Sequence, residues 1–151
     1  MEVTELLALI PQQKPFRFID EIISVDENQI QATYYFKKDE YFYQGHFPGN
    51  PVTPGVILTE AAAQASVVAL GIFLLDKMIE NKVDLKKWTT FFTESQMEFF
   101  LPVYPGTKIR VIGEKIFWRK MKLKSKVQMF NEQNELVCEG TLAGIGVKNE
   151  Q

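Results

Sequence analysis

Apolar and polar residues follow three different spacings along this chain. Near the start, "TELLALI" (residues 4–10) reads as one short helix with Thr4 as its cap, ended by Pro11 and Pro15. Residues 16–36 read as two strands: Ile23 and Val25 alternate with Ser24 and Asp26, and Asp26 to Asn28 supply the turn. Residues 37–53 carry glycine, proline and asparagine at short intervals, the mark of a loop with defined bends. Thr53 then offers a helix cap and Pro54 a first helical residue. From Val56 to about Lys77 almost every residue is apolar or small, about six turns of helix. A helix apolar around most of its circumference has to be enclosed.

Beyond the polar stretch 76–87 the period changes to two. "WTTFFTESQMEFF" runs to Phe100, and "PVYPG" bends the chain at Pro102 to Gly106. "TKIRVIGEKIFW", "KMKLKSKVQMF" and, after the turn "NEQNE", "LVCEGTLAGIGV" complete the strands. Met121, Leu123, Val127 and Met129 are expected on one face, with Lys120, Lys122, Lys124 and Lys126 on the other. Long strands with short turns imply an antiparallel sheet. One enclosed helix inside such a sheet is an α+β arrangement, the hotdog fold. With 151 residues, a single domain over 1–151 is expected.

Composition narrows the function. The chain is 46% apolar and 24% charged, ordinary for a globular protein, and its net charge of −2 gives no nucleic-acid signature. The most apolar run, residues 65–75, is shorter than the ~20 residues of a membrane span. Acids stand near the N-terminus, where a secretory signal carries positive charge. The one cysteine, Cys138, cannot form an internal disulfide and reads as a small strand residue. A cytoplasmic location is expected.

The chemistry concentrates in "YQGHFPGNPVTPGVILTEAAAQ", residues 43–64. His46, the only histidine, sits in a segment whose prolines and glycines impose a backbone path. Glu60 lies about two turns into the apolar helix, and Gln64 is four residues on, on the same face. Either both lie on an exposed edge, or Glu60 is a buried acid whose pKa desolvation raises. In the second case Glu60 is a general acid and His46 a neutral general base. Gly55 and Val56 present unpaired N–H groups at the positive end of the helix dipole, able to polarise a carbonyl oxygen.

"GHFPGNPVTPGVILTEAAAQ" resembles the FabZ-type 3-hydroxyacyl-(acyl-carrier-protein) dehydratases of fatty acid synthesis, and less closely their FabA-type relatives. The features are histidine, "FPGxPxxPG", and glutamate fourteen residues after the histidine. "IPQQKPFRFIDEI" and "MEFFLPVYPGTKI" are weaker echoes. The resemblance implies a hotdog homodimer, or a trimer of dimers, whose active site takes histidine from one subunit and the acid from the other. His46 would remove a proton from C2 of a 3-hydroxyacyl thioester, and Glu60 of the other subunit would protonate the departing hydroxyl. Gly55 and Val56 would lie at the thioester carbonyl, Phe47 beside the substrate, and Gln64 would orient Glu60. No metal or organic cofactor is implied. The partner would be an acyl carrier protein bearing a 3-hydroxyacyl chain.

Phe91, Phe92, Phe99, Phe100, Ala61 and Ala65 are candidates for an acyl tunnel wall, or equally for core packing. The pattern departs from the family at Gln12, Gln13, Lys14, Thr53, Leu101 and Thr107, positions bearing on carrier contact, assembly and acyl specificity. Arg119 and Lys120 to Lys126 form either a solvated strand face or a docking stripe for an acidic carrier. Two rival functions share the fold: an acyl thioesterase, which needs no histidine at this spacing, and a non-catalytic subunit.

Overall fold

A computed structural model describes residues 1–149. Helix α1 (Val3–Leu9) leads into strands β1 (Glu21–Val25) and β2 (Gln29–Tyr35). A 3₁₀ turn (Tyr41–Gln44) and a loop precede the central helix, and a second 3₁₀ turn (Lys82–Lys87) follows it. Strands β3 (Trp88–Phe99), β4 (Lys108–Arg119), β5 (Lys122–Phe130) and β6 (Leu136–Lys148) complete the chain. The sheet is fully antiparallel in the order β1-β2-β4-β5-β6-β3. This is the expected α+β hotdog: one long helix against one curved sheet.

The turns follow from local chemistry. The Asp26 carboxylate accepts the N–H groups of Asn28 and Gln29 at 2.7 and 2.8 Å, closing the β1–β2 turn. Asn131 does the same for Gln133 and Glu135 between β5 and β6. Gly106, at φ +85°, turns the chain into β4 in a conformation that L side chains resist.

The central helix has three parts: α2 (Gly55–Ala63), a π-helical turn (Gln64–Ala69) and α3 (Leu70–Asp76). Its residues Ala61, Ala62, Ala65, Ala69 and Leu70 are fully buried against Ile30, Val127, Met129 and Leu142 of the sheet. Glycine lets the two layers touch: a Cβ on Gly113 would fall 2.5 Å from Cβ of Ser66. The polar groups in this contact are paired. Ser125 of β5 donates to the Ser66 carbonyl, and Ser66 donates to the Ala62 carbonyl, both at 2.7 Å. Each such bond contributes about 0.5–1.5 kcal/mol, and an orphaned partner would cost about 1–3 kcal/mol. The helix spans 22 residues, long and apolar enough to cross a membrane, yet most of it lies inside the protein.

Three expectations need correction. Thr53 does not cap the helix: Pro54 holds the cap position, and the Thr53 hydroxyl pairs with the Tyr43 hydroxyl at 2.7 Å instead. Thr4 lies inside α1, whose cap position is Glu2. Lys120 and Met121 belong to the β4–β5 turn, both at positive φ, so the alternation begins at Lys122. Within the lysine stripe, Lys124 pairs with Glu94 of β3 at 2.7 Å across the intervening β6. Cys138 is fully buried, as expected, and burial pushes its thiol up to about 12.

Candidate active site

The loop before α2 holds His46 by main-chain bonds. Its N–H donates to the Phe42 carbonyl at 3.1 Å, and its carbonyl accepts the Val52 N–H at 2.9 Å. Phe47 and Asn50 exchange two backbone bonds at 3.1 and 2.8 Å, closing a tight turn at Gly49, φ +71°. The His46–Phe47 peptide is cis, and the two rings stack with centroids 4.1 Å apart.

That loop also sets the tautomer. The His46 Nδ1 lies 2.8 Å from the Val52 carbonyl oxygen. A carbonyl only accepts, so Nδ1 carries the hydrogen and Nε2 holds the free lone pair of the neutral ring.

Glu60 is held from a different direction. The Gln64 amide nitrogen donates to the Glu60 carboxylate at 2.9 Å and to the Phe16 carbonyl at 2.8 Å. The Gln64 carbonyl accepts the Phe18 N–H at 2.7 Å. Gln64 is therefore fully buried with every polar atom paired. Burial raises the Glu60 pKa, and the Gln64 hydrogen bond partly offsets that shift. Of the two readings left open, the exposed edge is excluded: Glu60 is half-buried and lines a cavity of about 60 Å³ with Gln12, Ala63, Val67, Val68, Thr90 and Phe92.

At the helix start, Gly55 packs against the Phe99 ring, which an added Cβ would meet at 3.4 Å. Thr53, Gly55, Leu58, Phe99 and Phe100 border an open recess of about 290 Å³. Val56 is 76% exposed beside it. The first N–H groups of a helix have no internal acceptor, so this recess offers donors to a ligand oxygen.

One chain joins Glu60 to Gln64 and stacks His46 on Phe47, but does not assemble the whole set. Among the described residues no hydrogen bond links His46 to Glu60, and His46 does not line the Glu60 cavity. Among the tunnel candidates, Phe92 reaches that cavity, Phe99 and Phe100 reach the recess, and Ala61 and Ala65 are core. Phe91 is exposed on β3, which lies at the sheet edge.

Sequence reasoning missed the Val52 carbonyl, which carries no side-chain signal. It also missed Gln12, which lines the Glu60 cavity and whose buried carbonyl oxygen has no partner among the described residues. Its only signal was a departure from the family pattern.

Comparison with known proteins gives the family and the fold. Residues 10–144 match the model of the FabA-like domain. The chain is 36% identical over 143 residues to the 3-hydroxyacyl-(acyl-carrier-protein) dehydratase FabZ of Caldicellulosiruptor saccharolyticus, covering 93% of this chain and 95% of that protein. Its fold resembles the dehydratase heterocomplex ApeI:P of Xenorhabdus doucetiae at TM-score 0.74 and 11% identity, over 95% of this chain and 91% of that one. It also resembles a thioesterase of Haemophilus influenzae at TM-score 0.65 and 17% identity, over 100% and 94% of the two chains.

Proposed function

The chain belongs to the FabA-like family, on its FabZ branch, and from that premise we propose a 3-hydroxyacyl-(acyl-carrier-protein) dehydratase with the following residue roles. The thioester carbonyl sits at the N–H groups of Gly55 and Val56, where the helix dipole stabilises the charge that develops on it. His46 Nε2 takes the C2 proton. The electron pair forms the C2–C3 double bond as the C3–O bond breaks. Glu60 gives its proton to the departing hydroxyl, which leaves as water. The product is a trans-2-enoyl thioester. Return of the proton from His46 to Glu60 resets the site, with no net change in the protein.

The observation that carries this reading is the buried carboxyl at the 60 Å³ cavity, pinned by Gln64 and shifted toward its protonated form. A general acid has to hold its proton, and burial shifts Glu60 in that direction. The acyl tail runs into the same cavity.

The site is completed by a second copy, in a homodimer or a trimer of dimers. Two features support this: His46 and Glu60 do not meet within one chain, and β3 is a 12-residue edge strand whose ladder is open on one side. Phe91 and Phe92, 59% and 48% exposed, lie along that edge and would be covered by the partner. The domain spans 1–151 and works in the cytoplasm on substrates borne by an acyl carrier protein.

The thioesterase reading draws on the likeness of fold, which does not distinguish the reactions. Incubation with a 3-hydroxyacyl carrier protein followed by mass analysis separates them. Loss of one water with the acyl chain still attached is the expected result. Release of free carrier overturns the assignment.

A further inference from the structure

A second cavity, of about 30 Å³, lies further along the helix face that carries Glu60. Ala63 and Val67 line the first cavity, and Val67, Gly71 and Leu75 line the second, so the two succeed one another along the helix. Val67 and Thr90 line both and stand between them. Beneath them lies Gly144 of β6. A Cβ built there would fall 2.7 Å from Val67 Cγ1 and 2.8 Å from Thr90 Cγ2, so the two methyl groups converge over one glycine.

Resting on the dehydratase reading, we propose that Val67 and Thr90 are a length barrier and that the preferred substrates are short-chain 3-hydroxyacyl thioesters. The first three carbons are engaged by the catalytic groups, and the remainder has to fit the first cavity. That cavity, at about 60 Å³, is small, so only a short tail fits it. A longer tail has to displace the Val67 methyl. Valine in a helix has essentially one χ1 rotamer, and this one is 3% exposed, so it does not swing aside freely. Beyond the barrier, Trp88 and Trp118 line the second cavity, and Trp118 donates to the Met78 sulfur at 3.2 Å.

Two measurements on the full chain test the barrier separately from the reaction. The first compares kcat/KM for carrier-bound 3-hydroxyacyl chains of four to twelve carbons. The native protein is expected to favour the shortest. Val67→Ala should raise the ten-carbon to four-carbon ratio about tenfold or more. Thr90→Ser, which removes only the methyl, should shift it in the same direction. Equal rates across lengths in the native protein, or an unchanged ratio in both variants, overturns the proposal.

The second uses the only two tryptophans of the chain, both lining the second cavity, as reporters. A ten-carbon acyl-pantetheine amide with a terminal bromine should quench their emission in Val67→Ala and not in the native protein. Equal quenching in the two overturns the barrier and leaves the dehydratase assignment standing. A barrier seen by quenching, with no water lost at any chain length, overturns the dehydratase assignment instead.

Discussion

His46 and Glu60 are held in opposite ways. His46 sits in a loop that fixes itself: its backbone bonds and the Val52 carbonyl all lie within ten residues of it. Glu60 is fixed from afar, through Gln64, which ties α2 to the backbone at Phe16 and Phe18. The base therefore depends on local chain geometry, while the acid depends on the tertiary fold. Changes at His46 should affect chemistry alone, and changes around Glu60 should affect chemistry and stability together.

Loss of the base is the strongest test. His46→Ala should lower dehydration by about 10²–10⁴-fold with the thermal midpoint nearly unchanged. A large loss of stability in that variant would break the contrast. Gln64→Leu comes next. It leaves the Phe18 N–H and the Phe16 carbonyl unpaired, each costing about 1–3 kcal/mol, which denaturant unfolding would read. It also removes the bond that lowers the Glu60 pKa, so the alkaline limb of the pH–rate profile should move upward.

A smaller effect concerns stability against pH. Burial raises the Glu60 pKa, so the folded chain holds that proton more tightly than the unfolded one. The resulting stability is complete below the ordinary carboxylate range and is lost as pH rises through the raised value. Glu60→Gln cannot ionise. Its melting temperature should therefore gain on that of the native protein from acid to neutral pH; a constant gap would refute the assignment. The smallest change is Tyr43→Phe, which deletes the bond to Thr53 beside the loop. A loss of about 0.5–1.5 kcal/mol is expected, with activity nearly intact. A large fall in activity would show that the loop leans on its side chains after all.

The same contrast explains what the sequence revealed. The enclosed helix and the antiparallel strands were legible because burial leaves a periodic trace in residue type. His46 and Glu60 stood out because a lone imidazole and a carboxyl in an apolar run are chemically anomalous. Thr53 misled because a cap signal describes only local options, and Tyr43 competes for the same hydroxyl across the loop. Val67 was invisible as anything but core. Its part in dividing two cavities depends on Gly144 and Thr90, strands that only the folded sheet brings beneath it.

The π turn in the central helix also fixes an azimuth. An α-helix rotates about 100° per residue, and a π turn uses an extra residue to come round. The Gly55–Ala63 and Leu70–Asp76 halves are thereby offset by about one residue's rotation from an unbroken α-helix. With that offset Glu60 lines the first cavity and Leu75 the second. Deleting one residue from Gln64–Ala69 would spin the two halves out of phase, and the two cavities would no longer succeed one another along one face of the helix.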